Sequence, residues 1–285
     1  HPNQVYSVAW MPGGAQIVSG CKDNVVRIWA VETGVVVGAL LTGHSDQVLS
    51  VAVSRDGSKI ASGSVDRTIR VWDAQTRAEI CCLEGHTDMV RSVAFTPDGA
   101  LIGSGSDDKT IRVWDIASGE TIVGPIQGHE DTVYSVAYSK DGSRIVSGSK
   151  DKSIRVWNAT TGEELWQRKM LRSANSVAYS PDGKQIVAGS DNEHLILDAE
   201  TGAIIPYPAS YFVAFSPDGK KIASESGHTG ELWDAETGAK LDVLRGHRDE
   251  VYSVTFSPNG ERIASASWDG TVRIWDATGS WRRAM

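Results

Sequence analysis

The chain has 285 residues, with 28 Lys+Arg against 36 Asp+Glu and a formal net charge of −8 at pH 7. That balance, with no Lys/Arg-rich run, removes the electrostatic attraction behind most non-specific nucleic-acid affinity, and no apolar run approaches the roughly 18 residues of a membrane-spanning helix. The odd cysteine count, Cys21 and the adjacent Cys81 and Cys82, offers no disulfide framework and points to a reducing, cytoplasmic compartment. The stretch from His1 to Trp10 has neither the basic segment nor the apolar stretch of a secretion signal.

Along the chain a tryptophan-aspartate pair or its remnant returns at Trp29, Trp72, Trp114, Trp157, Leu197, Trp233 and Trp275, a pitch of about 42 residues. A unit of this size cannot bury its own apolar face and needs its neighbours to do so, which predicts one repeat domain over residues 1–285. Between Gly85 and Asp115 the punctuation reads as an alternating strand, the turn Pro97-Asp98-Gly99, a second strand, the turn Asp107-Asp108 and a third strand ending at Trp114. A fourth strand, GETIVGPIQ, precedes Gly128-His129. The first turn recurs in every copy, at Pro12-Gly13-Gly14, Arg55-Asp56-Gly57, Pro97-Asp98-Gly99, Lys140-Asp141-Gly142, Pro181-Asp182-Gly183, Pro217-Asp218-Gly219 and Pro258-Asn259-Gly260. Glycine at its third position accepts the positive φ that a tight hairpin needs, and no helix-period segment competes with this reading.

Gly43-His44, Gly85-His86, Gly128-His129 and Gly246-His247, each followed some distance on by a tryptophan, give the chain a resemblance to the WD-repeat β-propellers over nearly its whole length. The resemblance implies an all-β fold: a seven-bladed β-propeller of four-stranded antiparallel blades around a channel. The near-identity of several copies also resembles the WD arrays of fungal nonself-recognition receptors of the STAND (NLR-type) class. Repeats five and six are degenerate: Lys169-Met170 replaces Gly-His and Leu197 replaces tryptophan in the fifth, and Ile205-Pro206 replaces Gly-His in the sixth. These blades are expected to be shorter and less rigid, with Pro206 and Pro208 on an outer strand or its loop. Because His1 already stands at the Gly-His position, closure is expected to use the tail from Thr278 to Met285, anchored by Trp281, with a frayed seventh blade.

Each regular blade carries a histidine, a serine, an aspartate and a tryptophan: His44, Ser62 (or Ser64), Asp66 and Trp72; His86, Ser104, Asp108 and Trp114; His129, Ser147, Asp151 and Trp157; His247, Ser265, Asp269 and Trp275. The first three residue types are those of a hydrolase triad, but one activated nucleophile needs one cleft, and a set copied around a ring is explained by internal hydrogen bonding. The resemblance implies a structural tetrad in which Asp, His, Ser and the indole tie strands and a loop together. Period-2 alternation places Ser62 and Ser64 on one face and leaves the choice between them open. Five histidines, with His1 among them, are spaced by the repeat, and His194 and His228 lack a second ligand at zinc spacing, so no metal and no cofactor are expected; a copper site at His1 is the remote alternative. Gly103-Ser104-Gly105 and its counterparts lie in strands rather than before a helix and make no phosphate loop. Asn158-Ala159-Thr160 matches a glycosylation acceptor and reads instead as a hairpin turn.

Function is sought where the copies differ. The residue between Val and Ser at the start of each copy is Tyr6, Leu49, Arg91, Tyr134, Asn175, Tyr211 or Tyr252; two positions earlier stand Gln4, Gln47, Met89, Thr132, Ser173, Ala209 and Glu250; before the turn aspartate stand Lys22, Val65, Asp107, Lys150 and Trp268. Aromatic anchors mixed with arginine and methionine suit a protein or peptide contact surface. The expected activity is therefore non-catalytic recognition of a protein or peptide at the channel mouth by a monomeric propeller, as the sensor module of a larger receptor, through Tyr6, Lys22, Leu49, Met89, Arg91, Asp107, Tyr134, Lys150, Tyr211, Tyr252 and Trp268. The alternatives are a small-molecule or glycan binder, since aromatics also stack on sugar faces, and a hydrolase using one blade's Ser/His/Asp set.

Overall fold

The structure, a computed structural model, describes residues 1–190, 194–205 and 213–278. Seven sheets of antiparallel strands follow one another in chain order, and no helix occurs among the described residues. Blade one contains Val5–Trp10, Gln16–Cys21 and Val26–Ala30; blade two Val48–Val53, Lys59–Ser64, Ile69–Asp73 and Glu79–Leu83; blade three Val90–Phe95, Leu101–Ser106, Ile111–Asp115 and Thr121–Ile126. Blade four contains Val133–Tyr138, Arg144–Ser149, Ser153–Asn158 and Glu164–Lys169; blade five Ser176–Tyr179, Gln185–Gly189, His194–Asp198 and Ile204–Ile205. Blade six contains Val213–Phe215, Lys221–Ser226, Thr229–Asp234 and Lys240–Arg245, and blade seven Val251–Phe256, Arg262–Ser267 and Val272–Asp276. Strands join their sequence neighbours in every sheet, so each blade is a meander whose first strand faces the channel and whose last lies at the rim. In blade one the rim strand shrinks to two isolated bridges, Val26 to Leu41 and Trp29 to Val36. All seven predicted turn glycines hold a positive φ, from +69° at Gly14 to +76° at Gly142 and Gly183.

Two devices join one blade to the next. The second strand of a regular blade is buried on both faces, and its small residues admit the neighbouring first strand: a Cβ on Gly105 would stand 2.6 Å from Val133 Cγ1, and one on Gly63 2.8 Å from Val90 Cγ1. The serine of each Val-x-Ser start then accepts a backbone N–H from the following first strand. Val51 N donates to Ser7 Oγ at 3.1 Å, Val93 N to Ser50 Oγ at 3.1 Å, Val136 N to Ser92 Oγ at 3.1 Å and Val177 N to Ser135 Oγ at 3.2 Å. The first strand has a free edge along the channel, and these hydroxyls satisfy one of its donors per blade.

The ring closes by the same means. Val8 N donates to Ser253 Oγ at 3.4 Å, Trp10 Nε1 donates to Thr255 O at 3.2 Å, and Arg262 pairs with Glu32 at 2.8 Å. Ala264 and Ala266 of blade seven share a core cluster with Val5, Val8, Trp10 and Ile17 of blade one. Among the described residues, closure rests on face packing rather than on a strand shared between the ends; the expected tail strand with Trp281 lies outside them, as do Pro206 and Pro208. Ala266 stands where regular blades have glycine, and this stitch is the longest of the five.

Blade five, with strands of four and two residues at Ser176–Tyr179 and Ile204–Ile205, replaces the tetrad in a specific way. Met170, Ala188 and Leu197 occupy the histidine, serine and tryptophan positions together, and all three are buried in one cluster with Val146, Ile154, Val177 and Ile186. A polar network whose members are removed at once leaves no orphaned donor, and apolar packing takes its place. Blade six keeps half of the network, with Trp233 Nε1 donating to Ser224 Oγ at 2.9 Å and Lys240 Nζ lying 4.6 Å over the indole.

The close approach at the joints carries a direct test. Gly105→Ala forces a methyl into a β-branched side chain that is itself fully buried, and is expected to lower stability by about 1–3 kcal/mol. Urea unfolding read by tryptophan fluorescence measures this; an unchanged or raised midpoint contradicts the packing argument.

Candidate functional site

The first constellation is the tetrad. In blade two Trp72 Nε1 donates to Ser62 Oγ at 3.1 Å, His44 Nε2 lies 2.7 Å from the same hydroxyl, and His44 Nδ1 lies 2.8 Å from Asp66 Oδ2. Ser62, rather than Ser64, is the member; Ser64 Oγ donates to Asp46 O and accepts from Asp66 N. The same bonds recur through His86, Ser104, Asp108 and Trp114, through His129, Ser147, Asp151 and Trp157, and through His247, Ser265, Asp269 and Trp275. The Asp–His–Ser order and distances match a hydrolytic triad, but Ser62, Ser104 and Ser147 are wholly buried and Ser265 nearly so. Each of these oxygens also accepts an indole proton, which takes one of the hydroxyl's two lone pairs and ties the oxygen into the blade.

Burial alone raises the Asp66, Asp108 and Asp151 carboxyls, yet bonds from the paired histidine and from Thr68, Thr110 or Ser153 outweigh it and hold all three far below the usual carboxylate range. Asp269 is lowered in the same way, with Thr271 as its strongest hydrogen-bond partner. Burial depresses His129 and His247 against the pull of Asp151 and Asp269.

Blade one is wired differently. His1 Nε2 and Trp29 Nε1 both lie 2.7 Å from Ser19 Oγ, but Val25 stands where other blades have a threonine or serine, and Arg27 takes Asp23 through bonds of 3.0 and 2.6 Å. Arg27 Nη1 faces His1 Nδ1 at 3.2 Å, so that nitrogen accepts and Nε2–H donates, the reverse of the arrangement set by the aspartate in the other tetrads. His1, Cys21 and Asp23 bring one ligand atom each within 4.8 Å of one another. A cation there would have to displace the guanidinium that already neutralises Asp23.

The second constellation is the mouth. In blades one, two, three, four and seven the pairing of first and second strands skips a residue, between Val5 and Ser7, Val48 and Ser50, Val90 and Ser92, Val133 and Ser135, and Val251 and Ser253. The skipped residues are Tyr6, Leu49, Arg91, Tyr134 and Tyr252. A bulge frees its extra residue from the ladder and re-aims it, and all five side chains line one cavity of ≈ 500 Å³ at the channel mouth. Gln47, Val65, Met89, Ser173, Asn175 and Trp268 complete its wall.

A repeated backbone bond holds the two contributing loops together: Lys22 N donates to Gln4 O, Val65 N to Gln47 O, Asp107 N to Met89 O, Lys150 N to Thr132 O and Trp268 N to Glu250 O. Tyr252, 41% exposed, stacks on Trp268 with centroids 5.5 Å apart and meets Tyr6 edge-on at 5.7 Å. Tyr6 in turn donates to Gln47 Oε1 at 2.8 Å, and burial raises its phenol. On the other side Arg91 binds Asp107 through both carboxylate oxygens, at 2.7 and 2.6 Å, and that hydrogen bonding raises the guanidinium pKa further.

The geometry of a ring whose blades share one tetrad and one loop pairing sets the frame for comparison with known proteins. The family model described as WD domain, G-beta repeat (WD40), matches residues 1–30, 36–73, 77–115, 120–158, 171–197 and 238–276. The chain belongs to the WD40 family. Most matches run from the rim strand of one blade through the third strand of the next, and together they cover well over half of the chain. None covers the first three strands of blade six, where Ile205-Pro206 replaces Gly-His, although four strands form there. No curated protein matches the chain. WD40 propellers are generally non-enzymatic scaffolds that bind protein partners.

Of the mouth residues expected from sequence, Tyr6, Leu49, Met89, Arg91, Tyr134, Tyr252 and Trp268 line the WD40 cavity. Asp107 acts one step removed, by fixing Arg91. Lys22 and Lys150 sit in the paired loops without lining the cavity, Lys150 Nζ lying 3.7 Å from Asp131; long flexible stems carry their charges to solvent. Tyr211 lies outside the described residues. Gln47, Val65, Ser173 and Asn175 were absent from the expected contact set although they occupy the same repeat positions; position in the repeat, rather than residue character, was the signal for them. Asn158 Oδ1 accepts from Thr160 N and Thr161 N, the hairpin turn expected there.

Two outcomes follow from the tetrads. Ser104→Ala strands the Trp114 indole and one His86 nitrogen, while Ala188→Ser buries a hydroxyl among apolar groups; each is expected to cost about 1–3 kcal/mol in chemical denaturation. A neutral result for both opposes the idea that the members of a tetrad depend on one another. Asp108→Asn tests the charge: a carboxyl with a folded-state pKa below its ordinary 3.8 contributes stability that is full above that value and lost as pH falls below it. The stability gap between parent and variant is therefore expected to be smaller at about pH 3 than at about pH 7; an equal gap at both shows that the ion is not what stabilises.

Proposed function

We propose that this WD40 protein is a non-catalytic recognition module that takes a protein or peptide segment at the channel mouth. The observation that carries the reading is the bulge: five blades hold one residue out of the ladder, and those five residues, variable in type and led by tyrosine, converge on one cavity. Rigid aromatics bury area at low cost in conformational entropy, and an arginine held flat by a bidentate carboxylate offers a preorganised contact. The near-identity of the blades outside these positions supports the finer reading of a sensor module within a larger receptor of the fungal STAND type. The acidic balance of −8 supports a partner other than nucleic acid. Free thiols support a cytoplasmic setting: Cys21 is buried, and burial pushes Cys81 up to about 11.

Peptides selected from a random displayed library against the intact protein test this. Tyr134→Ala, Tyr252→Ala and Trp268→Ala are each expected to weaken a selected peptide by about tenfold or more, while Asp141→Ser and Lys184→Ser on the opposite face leave affinity intact. Melting temperatures of the tyrosine variants should stay near that of the parent. Peptides that ignore the mouth variants, or that lose affinity on the opposite face, refute the mouth as the working surface.

A further inference from the structure

The loop that enters blade five departs from the other loops of the mouth face in two exposed residues. In the regular blades the tetrad histidine is followed by Ser45-Asp46, Thr87-Asp88, Glu130-Asp131 or Arg248-Asp249, and each aspartate accepts the next backbone N–H at 2.7 or 2.8 Å. Blade five has Leu171-Arg172 after Met170. The apolar replacement of the tetrad accounts for Met170, which is buried, but asks for nothing at the next position. Leu171 is nevertheless 78% exposed, more than any other large apolar residue among those described.

Cations gather around it. Met170 N donates to Lys152 O at 2.8 Å, Ala174 N to Ser149 O at 2.9 Å and Lys169 Nζ to Asp151 O at 3.4 Å, so the loop lies against the blade-four turn that carries Lys150 and Lys152. Lys169 itself stands where other loops have Gly43, Gly85 and Gly128. All three lysines are exposed, and Lys152 and Lys169 form no ion pair among the described residues. The neighbouring acids are Glu130 and Asp131, the latter 3.7 Å from Lys150, while Asp151 is held inside a tetrad. At the joint between blades three and four the positions of Lys150, Lys152, Lys169, Leu171 and Arg172 are taken by Asp107, Lys109, Gly128, Glu130 and Asp131. On a chain of net charge −8, the joint between blades four and five thus reverses the local sign around an apolar point.

We propose that Leu171, with Lys150, Lys152 and Lys169, is a docking surface for an acidic polypeptide segment that carries a large apolar side chain among its carboxylates. The apolar side chain covers Leu171 and supplies burial, while the carboxylates meet the lysines, fix register and speed encounter. A nucleic acid finds no aromatic platform in Leu171. A membrane would press the acidic remainder of the mouth face, with Asp46, Asp88 and Asp249, against anionic headgroups. The surface lies beside the channel mouth, and its occupation does not depend on the mouth as a recognition site.

The probe is a fluorescein-labelled synthetic peptide of repeated Glu-Asp-Leu, titrated into the intact protein and read by fluorescence anisotropy. Saturable binding is expected, weakened about tenfold or more when the peptide's leucines are exchanged for serine or its acids for lysine. Leu171→Ser, and Lys152→Glu together with Lys169→Glu, are each expected to weaken the parent peptide by a similar factor, with circular dichroism unchanged. Hydrogen exchange should show protection by the peptide within residues 149–153 and 169–175. Lys184→Glu on the opposite face and Tyr252→Ala at the mouth should leave affinity as it is, so failure here and failure of the mouth reading are told apart. No saturable binding up to about 1 mM, equal affinity for the serine peptide, or an equal loss from Lys184→Glu overturns the proposal. Tighter binding of a single-stranded oligonucleotide or of anionic phospholipid vesicles than of the peptide overturns it as well.

Discussion

The ring depends on a serine hydroxyl that sits where water does not reach. It accepts the indole proton from the third strand and bonds an imidazole from the loop before the first strand, whose other nitrogen is fixed by the turn carboxylate. Three pieces of chain that are distant in sequence thus meet at one oxygen, and the loop that carries the histidine is pinned to the blade. The bulged residue of the first strand follows that loop by only a few positions. A fixed loop gives a fixed bulge, and a fixed bulge gives an aimed side chain at the mouth.

The constraint is cooperative, which explains how the blades vary. Losing one member of a buried network leaves its partners unsatisfied, so single losses are costly and complete replacement is not. Blade five replaces three members together, with Met170, Ala188 and Leu197 packed as hydrocarbon. Blade one shows rewiring: with Val25 in place of a hydroxyl, Asp23 takes Arg27 as partner, and His1 turns its acceptor nitrogen to the same guanidinium. Neither blade leaves the serine or indole position in conflict with its surroundings.

Architecture was legible from Trp29, Trp72 and their counterparts because a repeat prints the same physical requirement seven times, and the turn glycines did the same for the hairpins. The serine of the tetrad was not legible, since Ser62 and Ser64 share one face of a strand and differ only in whether an indole or a loop carbonyl lies opposite. The bulge was equally hidden: Val-x-Ser reads as regular alternation, and the skipped pairing arises from the loop the histidine anchors. Tyr6, Arg91 and Tyr252 could be identified because their positions vary while their neighbours do not. Gln47 and Asn175 stand at the same repeat positions but lack a conspicuous side chain, so character alone passed over them. The face packing between Trp10, Ala264 and Ala266 was not legible, because it leaves no signature in strand count.

The division between invariant and variable positions follows from these bonds. The tetrad, the stitching serine and the close-approach glycine all lie within or between blades, where a change in volume or polarity is felt at two surfaces at once. The bulged residue touches neither the ladder nor the next blade's core, and its backbone is held by bonds that do not involve its side chain. Replacing Tyr by Leu or Arg there, as Leu49 and Arg91 already do, alters the cavity wall while leaving every structural bond of the blade in place. A scaffold that separates aiming from identity in this way permits the cavity wall to change without refolding the ring, and this separation is the physical basis for the proposal that the mouth is a recognition surface.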